Sequence, residues 1–374
     1  MRELVIDLDA IVANLAAFKK ISGGAKVMGV VKANAYGHGM IDVAKKLQSV
    51  GIDYLGVADV AEALLLRDHG VESPLLCWLH GPGENFEAAL QANVEIGVSN
   101  LEQLDRVAEA AQTLSRVAKI HLKVDTGLSR NGATMAEWGL LVQGALDLAA
   151  QQTVKVVGVF SHLSSTSEAD DRAQIAAFDA AVQQARDAGL EFELRHLTAS
   201  DGTISYPNLG YEMVRIGVGL YGLSPFAGHS GAEYGLKPAM TATSVVVQTK
   251  EVEAGVGVSY GYLYKTSKPT TLALIPVGYA EGLPRNASDQ DGPVAEVSIN
   301  DKRYPVLSRI AMDQFVVDVG DDEVAVGDKV ILFGDASQGV STADDWAAAA
   351  STINYEIVTR MGGRFTRKYL GSVE

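Results

Sequence analysis

Lys32 ends an apolar run, Lys26-Val27-Met28-Gly29-Val30-Val31, and is followed at once by Ala33-Asn34-Ala35-Tyr36-Gly37-His38-Gly39. An amine at the lip of an apolar strand is partly desolvated, which disfavours its ammonium form and lowers its pKa. A neutral amine so placed can form a Schiff base with an aldehyde; an isolated lysine could equally snorkel from the strand end into solvent. Other polar groups close other apolar runs. Lys123 and Asp125 lie in His121-Leu122-Lys123-Val124-Asp125-Thr126-Gly127-Leu128-Ser129-Arg130-Asn131-Gly132, and His162 in Phe160-Ser161-His162-Leu163. Thr198 and Ser200 follow a further run, and Arg215 and Gly217 belong to Arg215-Ile216-Gly217-Val218-Gly219.

Something must bring these groups together. Short apolar runs at 26–31, 54–58, 75–79, 95–98, 119–124, 155–160, 193–198 and 213–218 alternate with amphipathic segments such as 41–50, 60–69, 101–114 and 173–188. The apolar positions of those segments recur three and four apart, as in helices that cover a sheet. Eight strand–helix alternations within about 200 residues match an α/β fold, the (β/α)8 TIM-type barrel. A doubly wound open sheet would need a glycine-rich dinucleotide turn after its first strand, and Lys-Ala-Asn-Ala-Tyr-Gly-His-Gly stands there instead. From about residue 240 the runs become short and β-branched, at 243–249, 270–276, 295–299, 315–319 and 329–333, with Gly, Pro, Asn and Asp between them. A mostly antiparallel β-domain is expected there, so the chain divides into a barrel domain, 1–238, and a β-domain, 239–374. A helical segment at 343–351 and a closing Asn354-Tyr355-Glu356 follow.

In such a barrel, chemistry sits where the strands run out into loops. The polar groups above would then ring one mouth. The loops after the seventh and eighth strands commonly hold a phosphate on backbone N–H groups, and here they supply Ser200 and the Arg215–Gly219 turn. A reactive lysine beside a phosphate seat suggests pyridoxal 5′-phosphate.

Composition narrows the partners. Among 374 residues, 46 acidic against 31 basic side chains leave a formal charge of −15. With no basic block to offset it, this balance speaks against nucleic acid or an anionic membrane. The single cysteine, Cys77, leaves no intrachain disulfide and no cysteine-built metal site, and its setting in Pro74-Leu75-Leu76-Cys77-Trp78-Leu79 reads as a buried apolar thiol. No apolar run reaches about 18 residues, and Met-Arg-Glu-Leu is not a signal peptide. A soluble cytoplasmic protein is expected, with no metal.

The stretch Val-Val-Lys-Ala-Asn-Ala-Tyr-Gly-His-Gly resembles the pyridoxal-phosphate attachment signature of the alanine racemase family. The likeness extends over nearly the whole chain: Lys-Val-Asp-Thr-Gly-Leu-Ser-Arg-Asn-Gly at 123–132, Arg-Ile-Gly-Val-Gly-Leu-Tyr-Gly at 215–222, Leu-Lys-Pro at 236–238 and Val-Ser-Tyr-Gly at 258–261. Val-Gly-Tyr-Ala-Glu-Gly-Leu-Pro-Arg at 277–285 and Ser-Arg-Ile-Ala-Met-Asp-Gln at 308–314 continue it, all in the family's order. The resemblance implies interconversion of L- and D-alanine, with D-alanine supplied to cell-wall peptidoglycan. It implies that Lys32 binds the cofactor and serves as one base for the Cα proton, while Tyr260, reaching over from a partner subunit, serves as the other. An ordinary phenol ionises near pH 10, so its anion needs stabilising; the family suggests a chain from Tyr260 to His162 to Arg215, with Arg215 facing the pyridine nitrogen. Arg130 would take the substrate carboxylate, with Met312 and Asp313 near it from the partner. Lys123 resembles a lysine carbamylated by CO2. Tyr36, Ser200, Gly217, Val218 and Tyr355 would hold the phosphate, and Tyr279 would line the entryway. Shared sites imply a homodimer.

Two residues depart from the family's pattern: Glu281 stands where aspartate is commoner, and Ala311 where cysteine is frequent. Neither replaces a proton-transfer group. A racemase of serine or another amino acid is the nearest alternative, since pocket shape alone separates such substrates by roughly 1–3 kcal/mol. A decarboxylase of similar fold would place a cysteine in the β-domain, and a non-catalytic cofactor carrier would lack that domain.

Overall fold

The computed structural model describes residues 1–288 and 293–371. Strand β1 (Glu3–Asp7) and helix Leu8–Ile21 precede eight parallel strands: β2 (Lys26–Val30), β3 (Tyr54–Val57), β4 (Leu75–Cys77), β5 (Glu95–Val98), β6 (Ala118–Lys123), β7 (Val154–Phe160), β8 (Leu194–His196) and β9 (Met213–Ile216). These pair consecutively from β2 to β8, and β2 also pairs with β9. The remaining seam between β8 and β9 is joined by the Arg215 N–H, which donates to the Thr198 carbonyl at 3.0 Å. A near-closed barrel results, as the alternation of apolar runs and amphipathic segments predicts.

The local reasons are ordinary ones. Asp59, Asn100, Thr134 and Ser167 each accept a backbone N–H of the first turn that follows, which satisfies a donor the helix itself cannot. Thr134 and Glu137 complete a reciprocal capping box ahead of helix Met135–Ala150. Met28, Tyr54, Leu76, Val157, Leu194 and Met213 form one buried cluster drawn from β2, β3, β4, β7, β8 and β9. Cys77 is buried on β4, and burial pushes its thiol pKa up, so it is inert. Among the described residues no helix is long and apolar enough to cross a membrane.

In space the chain forms two compact units. One comprises residues 14–33 and 43–220, the barrel; the other gathers 1–13, 34–42 and 221–374. The second unit is built on a nine-stranded sheet in the order Gln248–Val252, Thr270–Ile275, Phe315–Gly320, Lys302–Leu307, Glu296–Ile299, Lys329–Phe333, Met240–Val245, β1, Thr366–Leu370. Every pairing is antiparallel except that of β1 with Thr366–Leu370. The single strand expected at 243–249 is two. Its break falls at Val246 and Val247, whose N–H groups donate to Asp328 and Leu274 respectively, so the chain changes partners there. Lys302–Leu307 and Thr366–Leu370 escape the sequence reading because each carries exposed charged positions, the first also a proline. The segment after Ile353 is a helix, Asn354–Arg360.

Gly37 shows how tightly this unit closes. Its φ is +83°, and a Cβ there would lie 2.2 Å from the Val358 carbonyl oxygen, while Arg367 Nε donates to the Gly37 carbonyl at 2.9 Å. Gly37→Ala is expected to lower unfolding stability by about 2–4 kcal/mol, from the left-handed backbone and the overpacking together; urea denaturation measures it.

Candidate active site

Immediately after β2 the backbone reverses hand. Ala33, Asn34, Ala35 and Tyr36 all have φ between +52° and +55°, a left-handed turn with no glycine in it. Each such residue costs roughly 1–2 kcal/mol. The turn is held at its start by Glu62, whose carboxylate accepts the N–H of Ala33 at 2.6 Å and of Ala58 at 2.9 Å. Its far end is held by the Asn34 side chain, which accepts from the Met40 N–H, and by the Gly39 N–H on the Asn34 carbonyl. Lys32 is thus fixed at the end of a barrel strand, half-buried. Burial first, then the charge of Arg130, lowers its pKa; Glu62 opposes and Arg215 adds to the lowering.

The same mouth holds more cations. Lys123, the last residue of β6, is buried, and burial with Arg215 and Arg130 nearby brings its pKa down to about 7. Its ammonium lies 5.3 Å from the centre of the Phe160 ring. Arg130 sits exposed on the following loop, which Asp125 shapes by accepting the N–H groups of Gly127 and Ser129.

Arg215 is the most enclosed of the four. Nη1 donates to His196 Nδ1 and to the His196 carbonyl at 3.0 and 2.8 Å. Nη2 faces the Ser161 and Leu197 carbonyls and His162 Nδ1 at 2.7, 2.9 and 3.1 Å. Burial lowers its pKa to about 10, with Asp201 opposing and Arg130 assisting, so it stays cationic at neutral pH. A guanidinium only donates. His162 therefore accepts on Nδ1, which places the proton of its neutral ring on Nε2. Burial and the surrounding Arg215, Arg130, Lys123 and Lys32 hold the His162 pKa far down, at about 2, so the ring is neutral.

On the next loops, the N–H groups of Gly217 and Gly219 both point to Ser200 Oγ at 3.2 Å, and Val218 opens the short 3-10 turn between them. Ser200 itself begins the helix Ser200–Ser205. A Cβ on Gly219 would meet Phe18 at 2.4 Å, so the backbone is free to approach here only because no side chain is present. N–H groups and a hydroxyl converging at one point make an anion seat.

The barrel thus carries Lys32, Lys123, Arg130, His162, Ser200, Arg215, Gly217 and Val218 at its strand ends and the loops that follow them. The other named residues belong to the second unit. Tyr36 and Tyr355 meet there with ring centroids 6.3 Å apart, and Tyr36 lies 5.0 Å from Tyr221. Tyr260 is 70% exposed, and its carbonyl accepts from Ser308 Oγ at 3.4 Å. Met312 is exposed, with its carbonyl taken by the Ala280 N–H at 3.0 Å. Asp313 pairs with Arg364 at 2.7 Å.

Glu281, which departs from the family's pattern, is fully buried. It accepts the Gly278 N–H at 2.8 Å and is paired with Arg364 and, more distantly, Arg2. Its longer side chain serves to clamp the Tyr279 turn. Sequence reasoning missed Glu62, Glu95 and His196. Only His196 left a signal, an imidazole closing a short barrel strand.

Comparison with known proteins agrees with this geometry. The family model for the alanine racemase N-terminal domain matches residues 6–225, and that for the C-terminal domain matches 239–369. The alanine racemase of Salinispora arenicola is 46% identical over 99% of this chain and 98% of its own length; that of Frankia casuarinae is 45% identical over 98% and 95%. Among solved structures, alanine racemase from Streptomyces lavendulae superposes with a TM-score of 0.96 at 43% identity, covering 100% of this chain and 97% of that one. The Streptomyces coelicolor enzyme gives 0.96 at 39%, covering 99% and 98%. A barrel carrying its lysine, arginines and anion seat at one mouth, joined to an antiparallel sheet and matched from end to end, makes this chain a member of the alanine racemase family.

Proposed function

We propose that this protein interconverts L- and D-alanine using pyridoxal 5′-phosphate, with Lys32 and Tyr260 as the two proton-transfer groups. The observation that carries this reading is the convergence, within one barrel, of a lysine of lowered pKa, a buried guanidinium and an N–H-lined anion seat. The residues fit the cofactor. Ser200, Gly217, Val218 and Gly219 would take its phosphate, aided by Tyr36 and Tyr355, and Lys32 would take its aldehyde. Among the described residues no acceptor occupies Arg215 Nε, which leaves that donor for the pyridine nitrogen. When bound, pyridoxal phosphate supplies the electron sink that acidifies the Cα–H of an amino acid.

The chain's own residues do the rest. Arg130 binds the substrate carboxylate through its two-donor fork. Lys32 Nζ removes or returns the Cα proton on one face, and Tyr260 Oη does so on the other. His162, with its proton on Nε2, donates toward the phenolate, and Arg215 keeps that ring neutral. Tyr260, Tyr262, Leu263, Tyr279 and Met312 are large apolar side chains left exposed on the second unit. Such a group reads as an interface, so we infer a homodimer in which Tyr260, Met312 and Asp313 complete the partner's site. We place the reaction in the cytoplasm, where D-alanine feeds peptidoglycan.

The test is chiral analysis of L-alanine incubated with purified protein and pyridoxal phosphate. D-alanine should rise until the enantiomers are equal, since they have equal free energy. No D-alanine overturns the reading.

Lys123 leads to a second expectation. With a pKa of about 7, about half of its amine is neutral at pH 7 and able to attack CO2, releasing a proton and leaving a carbamate anion beside Arg130. With 13C-bicarbonate, a carbamate carbon resonance should appear, strengthen as pH rises from 6 to 8 as the amine deprotonates, and vanish in Lys123→Ala. A signal that persists in that variant assigns it elsewhere.

A further inference from the structure

Three buried titratable side chains of the barrel, Glu95, His121 and His196, have no part in the reaction described above. They form a line. His196 Nδ1 faces Arg215 Nη1 at 3.0 Å, His196 Nε2 faces His121 Nδ1 at 2.9 Å, and His121 Nε2 faces Glu95 Oε2 at 2.9 Å. Glu95 opens β5, whereas His196 closes β8, so the line runs from the strands' N-terminal end towards the mouth. Gly158 makes room for it: a Cβ there would lie 2.6 Å from His121 Nδ1, and the β6–β7 register shifts beside His121. Phe160 stacks on His196 at 4.7 Å and 6°, which holds the ring's plane.

The two ends fix every proton between them. Arg215 can only donate, so His196 Nδ1 accepts and its proton sits on Nε2. That N–H donates to His121 Nδ1, which leaves the His121 proton on Nε2, donating to a carboxylate. No other arrangement of neutral rings satisfies all three contacts. Burial works to raise the Glu95 pKa, but the hydrogen bond from His121, with Lys119 at 3.6 Å, holds it below its usual value. His196 is held well below its ordinary pKa by burial and Arg215, hence neutral.

We propose that Glu95 is a positioning residue for the reaction: through the ordered His121–His196 chain its negative charge orients the Arg215 guanidinium at the barrel mouth. This deepens the racemase reading and rests on it. A carboxylate at the far end makes His196 Nδ1 a stronger acceptor and so fixes one of the guanidinium's five N–H donors. His162, which takes its tautomer from the same guanidinium, is oriented in turn.

The direct test needs no turnover. In cofactor-free protein labelled with 15N-histidine, long-range proton–nitrogen correlation spectra should give His121 and His196 as neutral rings protonated on Nε2. An Nδ1-protonated or doubly protonated pattern on either overturns the proposal. In alanine racemisation, His121→Leu should lower kcat about tenfold with KM within about twofold. His121→Gln, whose amide accepts at one end and donates at the other as the imidazole does, should keep wild-type kcat. Glu95→Gln should match His121→Leu, and combining those two should lose no more. Equal kcat in the two His121 variants, unchanged kcat in Glu95→Gln, or additive losses would each refute the relay, whatever happens to Tm. Should Glu95→Gln not fold, the His121 pair carries the comparison. Absence of D-alanine with the unmodified protein would instead overturn the racemase reading, and the tautomer measurement would still decide the relay.

Discussion

Replacing Lys32 by alanine is expected to abolish the visible absorbance of the cofactor-bound protein and to cut racemisation by at least roughly 10⁴-fold, since it removes both the proposed attachment point and one proposed base. The loss should be chemical and not structural. Burial and the charges of Arg130 and Arg215 lower the Lys32 pKa, which means that the folded barrel disfavours its ammonium form. A group whose folded pKa lies below its unfolded value weakens folding most below the folded pKa, where the folded state must bury the charge, and that penalty fades as pH rises from the folded towards the unfolded pKa. Removing it therefore leaves the thermal stability of cofactor-free protein unchanged or raised. Chiral chromatography, absorbance and a melting curve together check this. Racemisation within tenfold of wild type, or borohydride labelling at a lysine other than Lys32, would sink the assignment.

Tyr260→Phe is the second large effect. Removing one hydroxyl from an exposed side chain leaves packing intact but deletes the proposed proton-transfer group on one face, an expected loss of roughly 10²–10⁴-fold in kcat. Cofactor absorbance should survive, in contrast to Lys32→Ala. The pair gives a sharper outcome when mixed. If each site takes Lys32 from one protomer and Tyr260 from the other, then a heterodimer of the two variants carries one site lacking both groups and one with both present. Refolding an equimolar mixture should therefore restore about a quarter of wild-type activity, from two preparations that are each inactive. No recovery on mixing, with dimers verified by light scattering, would refute the shared site.

Much of this was legible in the residues. The barrel announced itself because its strands are short, apolar and regularly interrupted by amphipathic helices; β2 to β9 each overlap a run read from sequence, with β6 and β7 starting one residue earlier than those runs. The lysine, histidine and arginine at strand ends were visible because charge is out of place there. Less accessible was what depends on contacts between distant segments. Thr366–Leu370 alternates exposed and half-buried positions with little apolar character, and it becomes a strand only because β1 offers an edge. The left-handed turn at Ala33–Tyr36 has no glycine to advertise it. Glu95 gives no local sign that its carboxylate reaches His121, since nothing in Glu-Ile-Gly-Val distinguishes a strand-starting surface glutamate from a buried one. Glu281 likewise gives no local sign of its partners, Arg2 and Arg364, which lie far away along the chain.

Strand β1 is sandwiched between Met240–Val245 and Thr366–Leu370, with Glu3 opposite Thr243 on one side and Thr366 on the other. A nascent chain therefore carries β1 out of the ribosome long before either neighbour has been translated, with both rows of backbone donors and acceptors bare. The barrel strands, by contrast, find their neighbours in order of synthesis. Contacts between segments so distant in sequence close slowly, and an unpaired strand edge invites association with other chains. Growing polypeptides of this protein should thus lean most on chaperones in the interval between release of residue 7 and completion of residue 370.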